Sequence, residues 1–223
     1  MEFKVENGDG IDSWKEVTLV YSAALRQMET KMQILNDEFQ HVHQYNPIEH
    51  IKARIKTPES IVKKLKRYGQ ESTIDNIKYI NDIAGIRIIC SFTSDIYRIA
   101  DMIRDQRDIK VIAVKDYITY PKASGYKSYH MIVSIPVYLS DRTVDTKVEV
   151  QIRTVAMDFW ASLEHKIHYK FEGDAPENIK NELVECARMV SDLDARMLSL
   201  NEEILAISKK REEEKQLNSG TSK

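Results

Sequence analysis

Residues 128–154, SYHMIVSIPVYLSDRTVDTKVEVQIRT, constrain the chain most. Two β-branched runs, Ser128 to Leu139 and Val144 to Thr154, flank the polar turn signal SDRTVD, a pattern that pairs as an antiparallel hairpin. Within the second run, KVEVQIRT alternates strictly: Val148, Val150 and Ile152 fall on one face, Glu149, Gln151 and Arg153 on the other. The aliphatic face belongs to a core. The polar face meets either solvent or a pocket, and alternation alone does not choose between them.

Around this hairpin the pattern predicts further elements. A long helix runs from about Ser13 to Val42, with Trp14, Val17, Tyr21, Ala24, Met28 and Leu35 at three- and four-residue steps, and NPIEH interrupts the chain after it. TPES opens a second helix, with Thr57 as N-cap and Pro58 at the first helical position, which stops near Gly69. A short helix around Thr73 to Asn81, a strand GIRIICSF from Gly85 to Phe92, an amphipathic helix from about Asp95 to Gln106 and a strand from Lys110 to Val114 follow. DFWASLEHKIHYK reads as a helix anchored in the core by Phe159, Leu163 and Ile167. The fold class is α/β or α+β, a mixed sheet flanked by helices. Three segments result: an N-terminal helical segment 1–45, a sheet domain 46–176, and a C-terminal helix 177–223 ending in a charged tail. In that helix Leu183, Cys186, Val190, Leu193, Met197, Leu200, Ile204 and Ile207 form a heptad seam, which either packs back on its own domain or joins copies of the chain as a homo-oligomer.

At 223 residues the chain can bury a full core, and its net charge of -2 hides a local asymmetry. His50 to Arg67 holds seven Lys and Arg against one acidic residue, Glu59, which suggests a single anionic-ligand site. Two distant cysteines, Cys90 and Cys186, encode neither a disulfide scaffold nor a zinc site. No apolar run is long enough for a membrane span, and MEFKVENGDG does not read as a signal peptide, so a cytoplasmic location is expected.

Three constellations carry chemistry. Arg54 and Lys56 share one side of an extended segment and Ser60 follows on the first helical turn, so two cations and free backbone N–H groups converge as a polyphosphate would need. Capping and solvation explain the same residues without a ligand. No GxxxxGK[ST] or GxGxxG occurs, so a nucleotide site must be built another way. In NDIAGIRIICSF, Asp82 stands at a strand margin where a magnesium ligand is common, and Arg87 interrupts an aliphatic run; Glu149 offers a second carboxylate. In KDYITYPKASGYKSYH, Lys115, Lys122 and Lys127 interleave with Tyr117, Tyr120, Tyr126 and Tyr129, and His130 enters the next strand. Cations among aromatic faces can stack a base and hold its phosphates, although tyrosines also pack under loops. His165 and His168 lack an HExxH context and carry little zinc signal.

Taken together, RxKxxxS at 54–60, DIAGIRI at 82–88, KDYIxxPKxxGYxSxH at 115–130 and EVQIRT at 149–154, followed by WASLEHKIHYK, resemble the RelA/SpoT-type (p)ppGpp synthetases, specifically the single-domain small alarmone synthetases of the RelP-like branch. The resemblance covers about Trp14 to Ile204 and implies a nucleotidyltransferase-like fold, with 46–176 as the catalytic domain. It implies a GTP pyrophosphokinase: pyrophosphate passes from ATP to the 3′-OH of GDP or GTP, with Mg2+, giving ppGpp or pppGpp and AMP. By the same resemblance, Arg54, Lys56, Ser60 and Arg87 bind ATP and Asp82 binds magnesium. Tyr126 stacks on guanine, with Lys115, Lys122 and His130 around the acceptor's phosphates. Glu149 activates the acceptor hydroxyl and touches the metal, while Gln151 and Arg153 line the cleft. A homo-oligomer, tetrameric by family resemblance, is expected. With no HD dipeptide and too few residues for a hydrolase domain, the chain reads as synthetase only.

Two departures stand out. Relatives that bind a (p)ppGpp effector between subunits use a Phe and a Thr where this chain has His50 and Lys52, and the acceptor loop reads GYKSYH rather than GYRSLH. The competing readings are a nucleotide- or RNA-binding regulator on the same fold and an enzyme that transfers a nucleotidyl group. A pure binder of anions gains nothing from carboxylates at 82 and 149.

Overall fold

The computed structural model describes residues 14–170 and 175–220. The start MEFKVENGDG therefore lies outside the described residues. The elements run α1 (Trp14–Val42), β1 (Ile48–Ile55), α2 (Pro58–Arg67), a 3-10 turn (Asp75–Tyr79), β2 (Ala84–Cys90), α3 (Thr93–Arg104), β3 (Lys110–Asp116), β4 (Tyr129–Tyr138), β5 (Thr143–Thr154), α4 (Val155–Lys170) and α5 (Glu177–Gly220). Five strands form one mixed sheet in the order β1-β2-β5-β4-β3, with β2 and β5 parallel and every other pair antiparallel. The expected hairpin is β4–β5, whose register pairs His130 with Gln151 and Ile132 with Glu149.

One side of the sheet is a dry core. Val148, Val150 and Ile152 join Ile86, Ile88, Met131 and Val133 in a single cluster with Val20, Ala24, Met28 and Met32 of α1 and Ile96, Ile99 and Ile103 of α3. Each buried Val, Ile or Met among them contributes roughly 1.5–3 kcal/mol. Because side chains alternate along strands, this burial forces Gly85, Arg87, Glu149, Gln151, Arg153 and His130 to the other side. Thr57 caps α2 by accepting the Ser60 backbone N–H at 3.3 Å. At α3, Asp95 accepts the Phe92 N–H at 3.1 Å and the Tyr45 hydroxyl at 2.5 Å, tying the α1–β1 connection to the start of that helix.

One expectation needs correction and two need refinement. The segment after α1 is an edge strand, β1, paired antiparallel to β2. A register shift lies between Ile48 and His50; beyond it exposed His50, Lys52 and Arg54 alternate with Ile51, Ala53 and Ile55, which are partly buried against the core. Phe159 and Leu163 are exposed rather than core anchors: α4 turns Met157, Trp160 and Ala161 inward instead. The heptad seam of α5 divides. Leu183 and Val190 pack with Trp160, Ala161 and Ala187, and the Trp160 indole donates to the Leu183 carbonyl at 3.0 Å. Cys186 and the seam residues Leu193, Met197, Leu200, Ile204 and Ile207 are exposed, while the half-buried positions along this stretch, Ser191, Asp194, Leu198 and Asn201, lie on another face of the helix, where Asp194 accepts from Thr154.

Candidate active site

The polar side of the sheet holds a cleft of about 170 Å³ lined by Lys52, Arg54, Asp82, Gly85, Arg87, Glu149 and Gln151, together with Ala53 and Ile86. Its floor comes from three neighbouring strands, since Arg54 pairs with Gly85 and Gly85 with Glu149, and Lys52 pairs with Arg87 and Arg87 with Gln151. Gly85 has no side chain to fill the gap between the arginines and the carboxylates.

Glu149 belongs to a closed ring of contacts. Its Oε2 accepts from Gln151 Nε2 at 2.8 Å, and Gln151 Oε1 accepts from Arg153 Nη2 at 3.1 Å. Arg153 Nη2 also donates to the Tyr126 hydroxyl at 2.5 Å, which lies 2.9 Å from His130 Nε2. His130 Nδ1 returns to Glu149 Oε1 at 3.6 Å. One proton arrangement satisfies the whole ring: Tyr126 accepts from Arg153 and donates to Nε2, which leaves the imidazole hydrogen on Nδ1 facing Glu149. Burial pushes the Glu149 carboxyl up and the charge of Asp82 adds to that, but His130 and Gln151 outweigh both and hold it below the ordinary carboxylate range.

Asp82 faces two cations. Lys56 Nζ donates to Oδ2 at 2.9 Å, and Lys64 Nζ lies 2.8 Å from Oδ1. The Lys64 pair is close in distance, yet Oδ1 is buried and accepts no well-directed hydrogen bond. Burial raises the Asp82 carboxyl and the two lysines overcome that, so it is held below its usual value. A buried carboxylate oxygen without a directed donor, sharing a cleft with Glu149, fits a hard cation that takes one or two carboxylates and completes its shell with phosphate oxygens. Among the described residues no group of three or more His, Cys, Asp or Glu forms an all-protein metal cage.

The loop between β3 and β4 packs beside this. Lys122 Nζ stands 4.6 Å from the Tyr126 ring centre and 4.9 Å from that of Tyr117, and the Arg153 guanidinium lies 5.1 Å from the Tyr126 ring. Tyr117, Tyr126 and His130 meet edge to face. Gly125, at φ 86°, brings the loop so close to α5 that an added Cβ would stand 2.5 Å from Ala187 Cβ.

Of the twelve residues singled out in the sequence, Arg54, Asp82, Arg87, Glu149 and Gln151 line the cleft, and Lys56, Tyr126, His130 and Arg153 contact them or one another. Lys122 lies over the Tyr126 ring. Ser60 and Lys115 are not cleft-lining. Ser60 is exposed with its hydroxyl accepting from Thr57, and Lys115 is exposed on β3 opposite His130.

Four residues escaped the sequence reading. Lys52 lines the cleft, Lys64 sits one helical turn after Ser60, and buried Ser128 accepts from Arg153 Nε at 3.3 Å. Asp158, in the first turn of α4, accepts from both Arg87 and Arg153. The four-residue step from Ser60 could have found Lys64; an acidic residue in a first helical turn is too ordinary to have marked Asp158. The side chain of His168, half of the weak histidine pair, lies outside the described residues.

Comparison with known proteins gives a consistent picture. Residues 53–174 match the model of a region found in RelA / SpoT proteins. The GTP pyrophosphokinase YwaC of Bacillus subtilis (strain 168) is 48% identical over 195 residues, covering 87% of this chain and 93% of that protein. The crystal structure of small alarmone synthetase 2 from Bacillus subtilis superposes with a TM-score of 0.78 at 47% identity, covering 85% of this chain and 98% of the other. Small alarmone synthetase 1 from the same organism, bound to its product pppGpp, superposes at 0.81 with 34% identity over 86% of this chain and 97% of the other; its complex with AMPCPP does so at 0.75 with 31% identity, over 86% and 98%. The motifs, the sheet that assembles them into one cleft, and these matches agree: the chain belongs to the RelA/SpoT family.

Proposed function

We propose that this chain is a GTP pyrophosphokinase, transferring pyrophosphate from ATP to the 3′-OH of GDP or GTP. The observation that carries this reading is the ring joining Glu149 to Tyr126 through His130 and Arg153, placed against a cleft that also holds Asp82, Arg54 and Arg87. The relatives named GTP pyrophosphokinase, and the pppGpp and AMPCPP complexes of a related synthetase, support the same substrates.

In the reaction the acceptor O3′ bonds to the β-phosphorus of ATP, the bond from that phosphorus to the bridging oxygen of the α-phosphate breaks, and AMP leaves. Glu149, ionised at neutral pH because its carboxyl is held low, takes the proton from the acceptor hydroxyl. Arg54 and Arg87 hold the adenine side; Lys56 and Lys64 exchange Asp82 for ATP phosphates and neutralise their charge. Tyr126 stacks on guanine, and Lys122, Lys115 and His130 hold the acceptor phosphates. Asp82 and Glu149 hold magnesium, which when bound supplies further neutralisation of the phosphates. Positioning of the two nucleotides by these side chains supplies the rest of the rate.

The exposed apolar row of α5, from Leu193 to Ile207, supports a homo-oligomer, and mass in solution tests it. Among the described residues no helix is long and apolar enough to cross a membrane, and the substrates are those of the cytoplasm.

Incubating the purified protein with ATP, magnesium and GDP or GTP is expected to yield AMP and a 3′-pyrophosphorylated guanine nucleotide. Release of pyrophosphate instead of AMP would assign nucleotidyl transfer. Nucleotide binding with neither product would assign a regulator.

A further inference from the structure

Arg87 and Arg153 stand on parallel neighbours, β2 and β5, where Arg87 pairs with Gln151 and Ile89 with Arg153. Both guanidinium groups are largely withdrawn from water, their side chains being 29% and 6% exposed. Two cations so placed repel. Burial first, and then the charge of Arg153, lowers the Arg87 pKa, with Arg54 adding to that; Asp158 and Tyr126 work in the opposite direction. One oxygen, Asp158 Oδ1, meets both arginines, accepting Arg87 Nη1 at 3.1 Å and Arg153 Nη1 at 3.1 Å. Arg87 Nε is buried without a hydrogen-bond partner, so Asp158 is its one directed anchor among the described residues.

The two arginines serve different nucleotides in the reaction described above. Arg87 lines the cleft with Arg54, on the ATP side. Arg153 carries the Tyr126 hydroxyl and lies over the Tyr126 ring, on the guanine side. We propose that Asp158 is a positioning residue that joins the two nucleotide half-sites, its single shared oxygen fixing one arginine of each. This rests on the reading of the cleft as that of a GTP pyrophosphokinase.

The physical consequence is coupling. ATP that orders Arg87 also orders the carboxylate it bonds, and through it Arg153 and the ring that receives guanine. The second nucleotide then meets a site whose ordering cost has already been met, which is positive cooperativity and is reciprocal. An ordinary helix-dipole role for an acidic residue in the first turn of α4 predicts no such coupling.

The test is calorimetric titration of GDP into the magnesium-supplemented protein, free and saturated with AMPCPP, for the wild type, Asp158→Asn and Asp158→Ala. The wild type is expected to bind GDP roughly fivefold or more tightly with AMPCPP in place, and Asp158→Ala is expected to reduce that ratio to about one. Asp158→Asn keeps the shape and the accepting oxygen but not the charge, so it falls between the two and guards against a folding defect in the alanine variant. In steady state Asp158→Ala raises KM for both nucleotides together, whereas a defect confined to one half-site raises only one. A ratio near one in the wild type, with both nucleotides binding, overturns the proposal, as does an undiminished ratio in both variants. Failure of the wild type to bind either nucleotide is a different result, and it removes the pyrophosphokinase reading along with the coupling.

Discussion

Glu149 Oε1 lies 3.6 Å from His130 Nδ1, the closing link of a ring that also runs through Gln151, Arg153 and Tyr126. The position of the carboxylate is thus set by side chains that also hold the hydroxyl of Tyr126, the ring proposed to receive guanine. Replacing Glu149 with Gln keeps the size and removes the proton acceptor. We expect kcat to fall by roughly 10² to 10⁴ while both nucleotides still bind. Steady-state rates with direct binding measurements check this, and an unchanged kcat would exclude Glu149 as the general base.

Tyr126 has two separable properties, a ring face and a hydroxyl. Tyr126→Ala is expected to weaken the guanine nucleotide by about 1–3 kcal/mol through lost stacking. Tyr126→Phe keeps the ring but removes the group that Arg153 and His130 share. That variant should bind GDP nearly as well as the wild type and lose mainly kcat. Equal weakening of ATP and GDP in the alanine variant would contradict the assignment of the ring to guanine.

The floor of the site was legible in the sequence because period two is a strong signal: the row Glu149, Gln151, Arg153 lies opposite a buried aliphatic row, as KVEVQIRT requires. β1 was read only as an extended segment: HIKARI does alternate from His50 to Ile55, but the run is short, and its place at the sheet edge is set by pairing with β2, as in Ile51 with Ile88 and Arg54 with Gly85. Burial of α4 was misread for a related reason. Its helix is apolar on more than one side, and which side turns inward depends on α5, more than twenty residues later, through Trp160 and Leu183. Asp158 lies five residues from Arg153, but its link to Arg87 spans 71 residues and leaves no local spacing to read, whereas Lys64 stands one helical turn after Ser60 and could have been read from that step.

Asp82 links the site to stability. Its carboxyl is held below the ordinary range by Lys64 and Lys56 against the opposing effect of burial. A lowered folded pKa contributes stability that is complete above the unfolded value, about 3.9, and is lost as pH falls through the folded one. Asp82→Asn should therefore cost about 1–3 kcal/mol at pH 7, where it leaves two lysines facing each other, and progressively less below pH 4. Denaturant titrations from pH 7 to pH 2 check this, read as the difference between wild type and variant because Glu149 loses its own contribution in the same acid range. A difference that does not change with pH would mean that the ion pairs are not its source.

Gly125 joins the acceptor loop to α5, and two independent strains oppose a side chain there. Its φ of 86° disfavours an L-residue, and an added Cβ would meet Ala187 Cβ at 2.5 Å, with the Val184 backbone 3.7 Å away. The α5 backbone cannot yield easily, because Trp160 holds the Leu183 carbonyl and Thr154 Oγ1 donates to Asp194 at 2.5 Å on the same helix, so the loop is the part that moves. Gly125→Ala is expected to cost about 1–3 kcal/mol of stability. The displaced loop carries Tyr126 and Lys122, so KM for GDP or GTP should rise while KM for ATP stays within about twofold, the ATP side resting on β1 and β2 instead. Ala187→Gly alone costs about 1 kcal/mol in a helix, yet combined with Gly125→Ala it removes the Cβ contact and should recover part of the loss, leaving the φ strain behind. Strict additivity of the two substitutions would show that the contact with Ala187 does not set the loop, and would shift the whole effect to the backbone of Gly125.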